Sequence, residues 1–240
     1  MSRWLLASSP EPTHGSPHDA PAVALKSTHD VRGLMDADGL RAAVEAEHAD
    51  ALDLLGSREL LVALSDGDPR PAALLAAAAD SEYAARETFR EWADGTVDPA
   101  LRDVFEAVAE QEDDHFHRVR TAMGDDDVHD PERSGPMHAY LRGREDPIQQ
   151  VAAGMVGRTL VSLRTHGRLI DFFDAVDGHD RAALFRDLRA ETAACLDDGL
   201  AILDERADGD DWAAAEAVAG YTIRLAADDL RDALRSYRNR

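Results

Sequence analysis

Two long amphipathic helices in this sequence place carboxylates where their own apolar period demands core residues. Between Pro71 and Ala93 the stripe reads Leu75, Ala78, Glu82, Ala85 and Phe89. From Pro99 to Met123 it reads Leu101, Phe105, Val108, Glu112, His115 and Val119. The Glu112-x-x-His115 pair therefore interrupts the buried side at the i, i+3 spacing that keeps both residues on one face. A carboxylate in a core is too costly to stand without a counter-charge, hydrogen bonds or a metal. Glu110, Asp113, Asp114 and His117 fall off the stripe and read as solvated charges. The limits of both helices are legible: Pro71 and Pro99 suit first-turn positions, Asp98 is an N-cap, and Asp94-Gly95 and Gly124 are stops. Counted from Thr96, Glu82 lies 14 residues back and Glu112 lies 16 forward. At ~1.5 Å rise per residue the two carboxylates face each other across an antiparallel hairpin.

The remaining sequence supplies more helices and nothing with a strand's period of two. Leu40, Val44, Ala51, Leu52 and Leu55 mark a leading helix over residues 38–55, ended by Gly56. A loop holding Pro131, Gly135 and Pro136 leads to a helix over 147–176, then Asp177-Gly178, a helix over 180–204, and a last helix over 211–237. Hairpin, crossover, hairpin is the connectivity of ferritin-like bundles. The expected fold is all-α: a ferritin-like four-helix bundle with an extra N-terminal and an extra C-terminal helix, one domain over residues 35–240. Residues 1–34 are rich in Pro, Ser, Gly and His without an apolar period and read as a disordered tail, with Met35 as an alternative start. The tail histidines His14, His18 and His29 are irregularly spaced and read as unstructured sequence.

The run from Ala78 to Val119, with Asp80-Ser81-Glu82-Tyr83-Ala84-Ala85 and Glu110-Gln111-Glu112-Asp113-Asp114-His115, resembles the first helix pair of the rubrerythrin family. The resemblance extends over roughly residues 71–204. It implies a four-helix bundle, a carboxylate-bridged diiron centre and reduction of peroxide or oxygen, often with a separate iron–sulfur module. The single cysteine, Cys195, cannot build that module and reads as a small core filler. The second helix pair should repeat the ligand pattern and does not. On the stripe Met155, Thr159, Leu163, His166, Ile170 and Phe173, Leu163 stands at the ligand height. On the next helix Glu191 is level with Leu163, but Ala194 stands where the second histidine is expected. The candidate metal residues are Glu82, Glu112, His115 and Glu191, with His166 as a weaker stand-in, and one iron is expected rather than two. Two functions remain open: a rubrerythrin-like metalloprotein with a degenerate iron site and weak or no diiron catalysis, or a non-catalytic helical scaffold or stress-related interaction protein that has lost metal binding.

Charge narrows the partners. Lys+Arg 26 against Asp+Glu 48 gives a formal net charge of −22. All of it resides beyond residue 34, because Arg3, Lys26 and Arg32 balance Glu11, Asp19 and Asp30. Such a surface repels nucleic acid and anionic lipid and fits a solvated, halophilic protein adapted to a salt-rich cytoplasm. No run approaches the ~20 apolar residues of a membrane span, and Trp4-Leu5-Leu6-Ala7 is short for a signal peptide, so a cytoplasmic location is expected. A homodimer is the expected assembly by analogy with other ferritin-like bundles.

Overall fold

A computed structural model of the chain describes residues 35–124 and 135–239. The expected tail, and the part of the crossover loop around Pro131, lie outside the described residues. The two long helices come first in packing: α4 (Pro71–Gly95) and α5 (Pro99–Met123) form a tight antiparallel pair. Their hairpin is set by the Asp98 side chain, which accepts from the Ala100 and Leu101 amides and caps α5. The second pair is α8 (Arg158–Ala175) and α9 (His179–Arg206), turned by Asp177 in a left-handed conformation, φ 55°, followed by Gly178.

Differences from the expected elements are local. The leading helix breaks at His48 into α1 (Ala37–Glu47) and α2 (Ala49–Leu55), and a further short helix, α3 (Arg58–Leu64), follows it. The crossover contains α6 (Pro136–Arg142) where only a loop was expected. The third bundle helix starts as α7 (Pro147–Gln150), widens into a π-helical stretch over Val151–Gly157, and continues as α8. That stretch is buried throughout and is rich in small residues. A Cβ at Gly154 would lie 2.5 Å from Trp92 Cζ3, and one at Gly157 would lie 2.7 Å from the Ala219 carbonyl oxygen. Close packing on α4 and on α10 (Asp211–Arg238) thus shapes the widened turn.

Two apolar clusters fill the bundle. One gathers Phe89, Trp92, Phe105, Val156, Leu160, Leu196 and Leu200 with α1, α2 and α10. The other gathers Leu74, Leu75, Val119, Leu169, Phe173, Phe185 and Leu188. Along each of α4, α5 and α8 the sequence passes from one cluster to the other through a short buried polar layer, which holds Glu82, Glu112, His115 and His166, and Arg158 reaches Glu112 from among the residues of the first cluster.

Candidate metal centre

The hairpin delivers its three polar core residues to one point. Glu82 on α4 and Glu112 and His115 on α5 are all buried, and each offers one ligand atom within 4.8 Å of the other two. His115 Nδ1 lies 4.0 Å from Glu82 Oε2 and 3.9 Å from Glu112 Oε2. No fixed donor reaches His115 Nδ1 or Glu112 Oε2, and the Glu82 and Glu112 carboxyls are close enough to share one proton when no cation lies between them. Three buried ligand atoms converging from two carboxyls and an imidazole make a place for a cation, or for a shared proton in its absence.

The outer faces of these groups are held. His115 Nε2 is 2.6 Å from Glu191 Oε2, and the Glu191 carboxylate accepts from Arg118 at 2.9 and 3.0 Å. Glu191 is therefore outside the convergent trio and meets His115 on its far ring nitrogen. The weaker candidate, His166, sets Nε2 3.2 Å from Glu82 Oε1. Glu112 Oε1 accepts from Arg158 at 2.8 Å, while Arg158 Nε donates to the Gly154 carbonyl at 3.2 Å within the π-helical stretch. That guanidinium also lies 5.4 Å from the centre of the Phe89 ring.

Burial governs the charges. It pushes Glu112 up to about 7, with Glu82 adding to the rise and Arg158 opposing it. Glu82 is raised by burial as well. Burial lowers His115, and it lowers His166 to about 4, so both imidazoles are neutral and able to act as ligands or acceptors near pH 7. Burial alone would raise Glu191, but its bonds from Arg118 and His115 outweigh that and hold it below the ordinary value. Burial pushes the Cys195 thiol up to about 12, which suits its reading as core filler.

Two assignments on the second helix pair need correction. Leu163 has the right height but the wrong face: it is only half-buried and lines a surface groove with Leu52, Asp53 and Gly56 of the α2 region. Ala194 is exposed, and the inward face of α9 is carried instead by Leu188, Thr192, Cys195 and Gly199. The buried positions of α8 are Arg158, Thr159, Leu160, Val161, His166, Leu169 and Phe173. The important residue that the apolar stripe missed is Arg158. It is the single charged residue between Pro147 and Leu163, and a lone charge inside so apolar a run is the signal that points to it.

Residues 73–149 match the rubrerythrin family model. This segment of the chain is rubrerythrin-like. It spans α4 to α7 and contains Glu82, Glu112 and His115, while Arg158, His166 and Glu191 lie beyond it. No curated protein and no solved structure matches the chain. The rubrerythrin-like hairpin and the helical architecture make the chain an all-α, ferritin-like bundle with added helices. Among the described residues no helix is long and apolar enough to cross a membrane.

Proposed function

We propose that this chain is a metalloprotein that holds one divalent metal ion, iron by the chemistry of its donors, between Glu82, Glu112 and His115. Two carboxylates and a neutral imidazole form a mixed oxygen and nitrogen set suited to Fe(II) or Mn(II) rather than to a soft metal. The observation that carries the reading is the convergence of three buried ligand atoms, from Glu82, Glu112 and His115, within 4.8 Å of one another. The residues present fit one ion. They do not fit two, because the buried polar side chains of α8 and α9 are Arg158, Thr159, His166 and Thr192, none of them a carboxylate, and the Glu191 carboxylate is taken up by Arg118 and the far nitrogen of His115.

Iron bound there would supply one-electron redox chemistry. Glu191 fixes the ring plane of His115 through Nε2, and Arg118 fixes Glu191. His166 and Arg158 restrain the carboxylate oxygens that face away from the metal. The apolar clusters above and below exclude bulk water from the polar layer. The two-electron reactions of a diiron centre are not supported by this donor set, so the proposed activity is metal binding with weak or no diiron catalysis.

Anaerobic titration of metal-free protein with Fe(II) or Mn(II) tests the reading. One equivalent per chain is expected, with Glu112→Gln or His115→Ala removing it. A parent protein that takes up no metal, with both variants melting as the parent does, would leave the non-catalytic scaffold as the function.

A further inference from the structure

We propose that the Arg158 guanidinium is a fixed internal cation standing beside Glu112 where a second metal ion would stand, and that it limits the centre to a single metal. The inference rests on the one-metal reading above and explains why the count is one.

Glu112 is the pivot. Its Oε2 lies 3.9 Å from His115 Nδ1, on the side of the convergent trio with Glu82, while its Oε1 accepts from Arg158 at 2.8 Å. One carboxylate thus spans a metal position and a guanidinium, as a bridging carboxylate spans two metals. Arg158 is 2% exposed, and a buried charge of this kind survives only with compensation from all sides. Compensation here is specific: Glu112 in front, the Gly154 carbonyl behind, and the face of Phe89 alongside. Gly154 can lend that carbonyl because the helix is widened at this point and because it carries no side chain against Trp92. The π-helical stretch therefore aims Arg158 into the polar layer.

Charge balance gives the consequence. Glu82 and Glu112 carry two negative charges when ionised, and Arg158 always carries one positive charge because guanidinium does not lose its proton in proteins. One divalent ion together with Arg158 already exceeds the two carboxylates. A second divalent ion would meet both the guanidinium in its place and strong like-charge repulsion in a water-poor layer. An arginine also cannot change oxidation state, so the centre keeps the electrostatics of a filled second position without its redox capacity.

Stoichiometry and affinity test this on the intact chain, with Mn(II) and Co(II) as probes under anaerobic conditions. The parent should saturate at one ion per chain even at high metal. Arg158→Lys keeps the charge and should keep the count at one. Arg158→Met should tighten the first ion by at least about ten-fold, because the repelling charge is gone. Arg158→Glu should take a second Mn(II), seen as loss of the six-line paramagnetic resonance signal when two ions couple. Two ions bound by the parent, or Arg158→Met binding the first ion no more tightly than the parent, would overturn the proposal. So would a folded Arg158→Glu that stays at one ion. If Arg158→Glu does not fold, the parent count and the Arg158→Met affinity still decide. A parent that binds nothing refutes the one-metal reading by itself; if Arg158→Met then binds metal, the guanidinium stands as a complete cation substitute, and if it binds none the inference falls too.

Discussion

The buried carboxyl of Glu112 should make the metal-free protein weaken as pH rises, and replacing it with glutamine should remove that weakness. Its folded-state value is raised to about 7 from an ordinary 4.5. A carboxyl that holds its proton more tightly when folded contributes stability that is complete below its unfolded value and is lost as pH climbs through its folded value. Between pH 5 and pH 8 the loss from this one group is roughly 2 kcal/mol, since a tenfold difference in proton affinity between the folded and unfolded chain is worth about 1.4 kcal/mol. Histidines act in the opposite sense. His166 and His138, lowered by burial to about 4 and about 3, contribute stability above the unfolded value that disappears as pH falls. A parent melting curve alone would therefore show partial cancellation, and the informative quantity is the difference between parent and Glu112→Gln. Glutamine is isosteric, cannot ionise and leaves the histidines in place. Urea unfolding of both proteins in chelator at pH 5, 6, 7 and 8 should show the parent losing roughly 2 kcal/mol relative to the variant. Parallel curves across that range would refute the buried-carboxyl assignment. The same proton must leave when metal binds, so parent metal affinity should fall about ten-fold per pH unit below pH 7.

Other perturbations separate the parts of the layer. Glu191→Gln should lower metal affinity by about 10- to 100-fold while shifting the melting temperature little, because it loosens the His115 ring from outside the ligand set; unchanged affinity would mean that Glu191 does not orient His115. Gly154→Ala puts a Cβ 2.5 Å from Trp92 and should cost about 1–3 kcal/mol in a denaturant melt, and a neutral result would mean that the widened turn yields freely. Leu163→Glu with Ala194→His should leave metal stoichiometry at the parent value, since one side chain faces the α2 groove and the other is exposed; a gained second ion would reverse both face assignments. Raising salt from ~0.1 M to molar should raise the melting temperature by screening the net charge of −22, and indifference to salt would refute the salt-adaptation reading.

What the sequence discloses about this centre depends on whether the helix that carries a residue keeps its period. In α4 and α5 the 3.6-residue repeat runs unbroken from proline cap to glycine stop, so height and face both follow from counting, and Glu82, Glu112 and His115 meet as the count requires. In the third helix the count of face holds only in part. The seven residues Val151–Gly157 turn through a wider coil, so the turn that carries Arg158 follows an irregular stretch that no 3.6-residue count describes. Of the stripe Met155, Thr159, Leu163, His166, Ile170 and Phe173, the first, second, fourth and last are buried, whereas Leu163 and Ile170 are half-buried and Leu169 is buried in their stead. Small residues alone do not announce a π-helical turn; its cause is tertiary, in the Trp92 ring and the Ala219 backbone against which Gly154 and Gly157 close. Arg158 directly precedes the stripe residue Thr159, and all four residues Arg158, Thr159, Leu160 and Val161 are buried where the helix leaves the widened turn, so a single stripe leaves it out. Ala194 is a separate matter: α9 is regular, and its inward face runs through Leu188, Thr192, Cys195 and Gly199, so the second helix pair presents to the layer a set of side chains that includes a cation on Glu112.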